Sequence, residues 1–187
     1  MCIFIAAMLP PSAQAADFRA FADDCGLAWK PLPNRHLSAQ VSAGSLWFLT
    51  NRKHCDCGTA LGAATRSDEV SFHNPESEIP KLQKKGWSEA KIERWLGDKS
   101  ATVARRQKEA VDRGAEKGAE LELWLRFLHA ALESDSADRV GVLLHEYSGL
   151  VDSELVAIKG RRAVKGADMT SELLRGMESD VLYEFRR

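Results

Sequence analysis

Four cysteines are the residues of this chain whose type and spacing could do chemistry. Cys2, Cys25, Cys55 and Cys57 all lie in the first 57 residues, and a single residue separates the last two. Thiolates are soft ligands that suit Zn²⁺, which accepts four of them in tetrahedral geometry. His54 is an alternative ligand beside Cys55. We therefore predict a zinc site, and a structural one, because four thiolates leave no coordination position for a substrate.

Other uses of the same thiols stay open at this point. An iron–sulfur cluster takes the same ligands. Lys53 and His54 are the neighbours of Cys55, and nearby cationic side chains favour a reactive thiolate, either as a nucleophile or as a redox pair with Cys57. Cys25 lies on the apolar face of a predicted helix, where a cysteine often packs simply as a small hydrophobic residue.

A β-α-β-β segment, residues 1–61, is predicted to position the cysteine set. Strands are expected at 2–9, 37–41 and 45–50, with a helix over 13–25. A crossover helix runs antiparallel to the strand before it, so Cys25 is expected to return to the edge where Cys2 begins. A hairpin then turns the last strand back, which brings Cys55 and Cys57 to that edge as well.

The rest of the chain is predicted to complete an α+β fold with a mixed sheet. We expect a loop or linker at 62–78, a helical segment at 79–133 and a ββαβ segment at 139–187, together forming one domain. Within the helical segment, Gly97 is expected to end one helix before another begins. The C-terminal strands are expected at 139–147, 154–164 and 181–185, with a short helix at 169–177.

Charge and hydropathy exclude some classes of protein. The net charge is −1, so no global charge favours nucleic acid or a membrane surface. No apolar run approaches the roughly 18 residues of a membrane-spanning helix. Residues 2–15 could serve as an export signal cleaved after Ala15, but no Lys or Arg precedes Arg19. A cytoplasmic chain with reduced thiols is therefore favoured.

A basic segment, residues 79–118, carries 11 basic and 6 acidic side chains. Within it, residues 80–97 resemble a helix-turn-helix, with Gly86 in the turn and apolar anchors on both sides. In that interpretation four side chains would contact phosphates: Lys84, Lys85, Lys91 and Arg94. A helical hairpin that packs its tryptophans explains the same pattern without a nucleic-acid partner.

The first residues suggest a third class of function. Met1-Cys2 followed by Ile3-Phe4-Ile5 resembles the opening of N-terminal-nucleophile hydrolases, such as class II glutamine amidotransferases and the NRDE-type family. Asn51-Arg52-Lys53-His54 keeps two of the four residues of the Asn-Arg-Asp-Glu motif. The resemblance implies a cysteine amidohydrolase with Cys2 as nucleophile. A metal-binding protein, a hydrolase and a DNA-binding protein are thus three distinct hypotheses, and the sequence identifies no substrate.

Overall fold

The computed structural model describes residues 1–51, 53–62, 75–134 and 136–187. It contains two compact units, residues 1–67 with 117–187, and residues 68–116. The predicted α+β class is confirmed, because the first unit contains a mixed six-stranded sheet with helices. All four cysteines belong to this first unit.

The sheet has the strand order β2-β3-β1-β4-β6-β5. All neighbouring strands are antiparallel except β5 and β6, which are parallel. N-terminal and C-terminal strands meet where β1 pairs with β4, so both ends of the chain contribute to one sheet. The strands are β1 (Cys2–Leu9), β2 (Lys30–Pro31), β3 (Leu46–Leu49), β4 (Arg139–Tyr147), β5 (Gly160–Lys165) and β6 (Val181–Arg186).

Five α-helices accompany the strands in the described ranges: α1 (Ala15–Asp24), α2 (Arg35–Ser38), α3 (Ile79–Lys84), α4 (Glu89–Glu133) and α5 (Ser171–Arg175). The predicted helix end at Gly97 is wrong, because α4 continues through this residue for 45 residues in all. One glycine costs a helix only about 1 kcal/mol relative to alanine, and the strong helix formers around it outweigh that cost.

The predicted strand at 37–41 is also wrong. Asn34 begins a helix here, since its side-chain oxygen accepts hydrogen bonds from the N–H groups of His36 and Leu37. The two-residue strand β2 takes the second strand position, and α2 lies between β2 and β3, so the order of this segment is β-α-β-α-β. In the C-terminal segment, the strand predicted to begin at residue 154 begins at Gly160.

Two apolar cores lie on opposite faces of the sheet. On β1, Ile5 and Leu9 belong to the core that includes α1 and the last turns of α4, whereas Ala6 and Met8 belong to the other core. Successive side chains of a strand point to opposite faces, and β1 is therefore apolar on both. This division decides which cysteines can meet.

The predicted domain organisation is only partly covered by the structure. Residues 63–74, most of the predicted 62–78 loop, lie outside the described residues. The four residues Pro75–Glu78 form a 3₁₀ turn before α3. Within the described part of the chain, no helix has both the length and the apolar character needed to cross a membrane.

Candidate metal centre

Three of the four predicted thiols lie together at the beginning of β1. The sulfur atoms of Cys2, Cys55 and Cys57 are all within 4.8 Å of one another. All three are free thiols, with Cys2 exposed and the other two half-buried. Three sulfurs bound to one zinc ion at 2.3 Å lie about 3.8 Å apart in tetrahedral geometry. Small side-chain rotations would therefore bring this group to the spacing that zinc needs.

The loop 53–62 reaches the thiol group because it continues the pairing that β3 leaves unfinished. β3 pairs with β1 only from Ala6 to Leu9. Beyond that point, the Thr50 N–H donates to the Ile5 carbonyl at 3.2 Å and the Asp56 N–H donates to the Ile3 carbonyl at 2.8 Å. The Asp56 carboxylate in turn accepts from the Ile5 N–H at 2.8 Å. These bonds hold Cys55 and Cys57, the neighbours of Asp56, at the edge of β1.

A tight turn holds the other end of this loop. The Thr59 N–H and hydroxyl both donate to the Asp56 carbonyl, at 2.9 and 2.8 Å, and the Gly62 N–H donates to the Thr59 hydroxyl at 3.1 Å. The Ala60 N–H donates to Glu120 on α4 at 2.7 Å. The loop is thus fastened both to the sheet and to the long helix.

Two carboxyl groups in this region are held in unfavourable surroundings. Burial raises the pKa of Asp56 to about 6, an effect that the Ile5 N–H and Lys30 oppose and the charge of Glu120 reinforces. Burial likewise raises the pKa of Glu120 above its ordinary value, against the hydrogen bond from Ala60. Neither carboxylate is part of the thiol group, and the contacts show that both hold the loop in place.

The backbone also donates directly to one sulfur. The Ile3 N–H lies 3.2 Å from the Cys57 sulfur. Hydrogen bonds to ligand atoms orient metal ligands and stabilise their charge. The first strand therefore contributes both a thiol, from Cys2, and a donor that fixes a second thiol.

Cys25 is not brought to the group. It follows α1 and is 5% exposed, packed in the same apolar core as Ile5 and Leu9. By strand alternation, Cys2 shares the opposite face of β1 with Ala6. The sheet therefore separates Cys25 from Cys2, although the helix does return to this end of β1. His54 is exposed beside Cys55 and is not a member of the three-thiol group.

The residues of the hydrolase resemblance are placed as follows. Cys2 is the first residue of β1 and lies opposite Tyr147 of β4. Asn51 is buried, and its side-chain amide donates to the Lys53 carbonyl at 2.5 Å. Arg52, the second residue of the motif, lies outside the described residues.

The basic helix pair forms with a tight turn at Gly86, whose φ is +77°. All four predicted phosphate contacts, Lys84, Lys85, Lys91 and Arg94, are exposed. The Lys91 ammonium lies 4.0 Å from the centre of the Trp87 ring, a cation–π contact within the pair. The second helix of the pair extends to Glu133 rather than ending near residue 97. Nucleic-acid binding stays a prediction.

Sequence reasoning missed the two carboxylates that organise the loop. Asp56 stands between two cysteines, and an acidic residue flanked by candidate ligands is a recognisable signal. Glu120 precedes the apolar stripe of α4 and has no local signal, because its partner is 60 residues away at Ala60.

Comparison with known proteins adds no relative to this picture. No protein family, curated protein or solved structure matches the chain. The thiol group and its surroundings are therefore the basis on which a function can be proposed.

Proposed function

We propose that the protein binds one zinc ion through Cys2, Cys55 and Cys57, and that the ion cross-links β1 to the loop 53–62. The observation that supports this proposal is the convergence of three sulfurs within 4.8 Å. Cys2 is more than 50 positions from Cys55 and Cys57, and backbone hydrogen bonds already hold their two elements together. Chance packing of small apolar side chains accounts well for Cys25 but poorly for thiols in a polar loop.

The number of thiols favours a single ion over a cluster. Iron–sulfur clusters are normally held by four cysteines, whereas zinc accepts three thiolates with a nitrogen or oxygen ligand in the fourth position. In this proposal the fourth position is filled by water or by His54, which is exposed and adjacent to Cys55. The closed four-thiolate site expected from the sequence is thereby replaced by a site with one exchangeable position.

A structural role follows from where the ion would lie. The loop holds β1 through isolated hydrogen bonds rather than a continuous ladder. An ion bound by residues on both sides adds its binding free energy to folding, because the site does not exist in the unfolded chain. The exposure of Cys2 leaves the ion open to chelators.

The amidohydrolase hypothesis uses the same Cys2 for a different purpose. The structure places two further thiols next to it, which favours metal binding. Metal content and thiol reactivity distinguish the two hypotheses. A zinc-bound Cys2 should react with iodoacetamide only after chelation, whereas a nucleophile should react at once in protein that contains no metal.

The test is the metal content of untagged, full-length protein purified without chelator. We expect about one equivalent of thiol-bound zinc per chain, and the loss of that equivalent in each of Cys2→Ser, Cys55→Ser and Cys57→Ser. Cys25→Ala is the matched control, since it removes a buried thiol outside the group and should keep the zinc. Metal-free wild-type protein that also fails to take up added zinc would overturn the proposal.

A second measurement decides the fourth ligand. Co²⁺ replaces Zn²⁺ in such sites, and its absorption spectrum reports the number of sulfur and nitrogen ligands. If His54 is a ligand, His54→Ala should change the visible bands of the cobalt form and weaken binding. If water fills the position, the spectrum should stay as in wild type.

A further inference from the structure

A second polar cluster lies around β4, in the same compact unit as the thiols. His145 and Tyr147 are on β4, Glu154 is in the following loop, and Asp180 directly precedes β6. Asp180 has a φ of +65°, the only positive value of a non-glycine residue among the described residues. Its N–H donates to the Leu144 carbonyl at 2.8 Å. Such a backbone conformation is strained and persists only where the surroundings impose it.

Asp180 orients the imidazole of His145. Its carboxylate lies 2.5 Å from Nδ1 of His145 and 2.6 Å from the ammonium group of Lys159. Burial opposes ionisation, but these hydrogen bonds prevail and lower the pKa of Asp180 below its ordinary value. An ionised carboxylate only accepts, so Nδ1 must donate, and Nε2 is the nitrogen left for another partner. That atom is buried and has no hydrogen-bond partner in the protein.

The carboxylate of Glu154 lies close to that nitrogen. Its Oε1 lies 3.8 Å from Nε2 of His145. Its two carboxylate oxygens accept hydrogen bonds from the N–H groups of Ser148 and Gly149 and from the Ser148 hydroxyl. These donors lower the pKa of Glu154, which keeps the carboxylate ionised. The loop thus fixes a negative charge in front of the imidazole.

Tyr147 supplies a second buried polar atom without a partner. Tyr147 is 3% exposed, and its ring contacts the His145 ring edge-on, with 4.5 Å between the two ring centres. The hydroxyl makes no hydrogen bond in the protein. Burial raises the pKa of Tyr147, and the negative charges of nearby acids, that of Glu154 first, add to this effect. Two orphaned buried polar atoms side by side are rare unless something else binds them.

We propose that Nε2 of His145 and Oε1 of Glu154 ligate a divalent transition-metal ion, and that the Tyr147 hydroxyl contacts a water on that ion. A histidine whose Nδ1 donates to a carboxylate is the usual arrangement of a metal-binding imidazole. Two ligand atoms at 2.0–2.1 Å from one zinc ion lie about 3.4 Å apart, close to the 3.8 Å between these atoms.

The charges of the cluster also fit a cation. Lys159 neutralises the charge of Asp180. Among the ion pairs of the described residues, Glu154 pairs only with His145, so its negative charge is available to a cation. The alternative occupant is a proton on His145, which would place an imidazolium between the carboxylates of Glu154 and Asp180. In that case a buried water would bind the Tyr147 hydroxyl. The ligands of the proposed site are nitrogen and oxygen, so it is distinguishable from the three-thiol group by spectroscopy.

Cobalt titration of the metal-free, full-length protein tests this second site. Ions bound by thiolates give an intense sulfur-to-cobalt charge-transfer band, whereas ions bound by nitrogen and oxygen give only weak visible bands. We expect two ions per chain, of which only one contributes to the charge-transfer band. One ion per chain with the full band would overturn the second site and leave the thiol site intact. One ion per chain without the band would do the opposite.

Variants assign the second ion to its ligands. His145→Gln and Glu154→Gln should each lose the second ion, or bind it at least tenfold more weakly, with the charge-transfer band unchanged. His129→Gln is the control, because it removes a histidine on α4 outside the cluster. If His145→Gln binds two ions like the control, the cluster holds only a proton and water. The wild-type titration decides the question even if a variant does not fold.

Discussion

Gly62→Ala is expected to dismantle the loop that carries two of the three thiols. A Cβ at this position would lie 1.9 Å from the carbonyl oxygen of Asp56 and 2.6 Å from its carbonyl carbon. Real Cβ atoms scarcely ever come closer than 3.0 Å to another atom, so the oxygen would have to move away by about 1.1 Å. The obstacle is backbone, so no change of side-chain rotamer relieves the clash.

Asp56 cannot give way without losing the contacts that hold it. Its N–H donates to Ile3 and its carboxylate accepts from Ile5, both at 2.8 Å. Each of these bonds contributes about 1 kcal/mol, and a buried N–H left without an acceptor costs about 1–3 kcal/mol. We therefore expect Gly62→Ala to lower the free energy of unfolding by about 2–4 kcal/mol.

Urea unfolding followed by circular dichroism, with a zinc titration of each metal-free protein, measures both consequences. Cys55 and Cys57 would move with the loop, so we expect zinc affinity to fall at least tenfold. Gly58→Ala is the matched control, because a Cβ there meets no atom within 4 Å. If Gly62→Ala has the same unfolding midpoint and zinc affinity as Gly58→Ala, the bracing of the loop on Asp56 is refuted.

Three further predictions concern metal removal, a buried charge, and two glycines, one in the long helix and one in the turn before it. Zinc at 100 times its dissociation constant should stabilise the folded chain by about 2.7 kcal/mol, so a chelator should lower the melting temperature. Glu120→Gln keeps an oxygen that accepts from the Ala60 N–H, and it removes a carboxyl group whose pKa is raised. The variant should therefore match or exceed the stability of the wild type at pH 7. The difference in stability should vanish as the pH falls below 4.5, the ordinary pKa of a glutamate carboxyl. Glu120→Ala leaves the Ala60 N–H without its acceptor and should cost about 1–3 kcal/mol in urea unfolding. Gly114→Ala, inside α4 with open space around its Cβ, should stabilise the helix by about 1 kcal/mol, measured by amide hydrogen exchange. Gly86→Ala, at a φ of +77°, should destabilise its turn by a similar amount.

Each of these has a contrary outcome. A melting temperature unaffected by chelation would mean that no ion stabilises the fold. A Glu120→Gln variant less stable than wild type at pH 7 would mean that the carboxylate charge is favourable where it lies. Equal effects of alanine at Gly114 and Gly86 would mean that backbone conformation does not govern either site.

Local signals in the sequence were enough to predict several elements. The apolar run at 2–9 is a strand, the i, i+3, i+4, i+7 spacing ending at Cys25 is a helix, and 139–147 and 181–185 are strands. In each case the period of the apolar residues is a property of a short segment. The proximity of Cys55 to Cys57 was likewise predictable from a short segment, because one residue separates them.

Other segments were predicted wrongly because a distant contact decides them. Residues 37–41 alternate apolar and polar side chains as a strand does, but Asn34 begins a helix there and also donates to the carbonyls of Val151 and Glu154. Those acceptors are more than 100 positions away, so no local pattern records them. The propensity of a short segment is weak compared with such tertiary contacts.

The sequence by itself determined that this chain carries a thiol set on an α+β scaffold, because residue type, spacing and apolar period are local. Only the tertiary structure decided the membership of that set. Cys25 and Cys2 approach the same end of β1 from opposite faces of the sheet, and the choice of face depends on packing across the whole core. The pairing of His145 with Asp180 was likewise decided by the sheet, since 35 residues separate them and the strands alone bring them together.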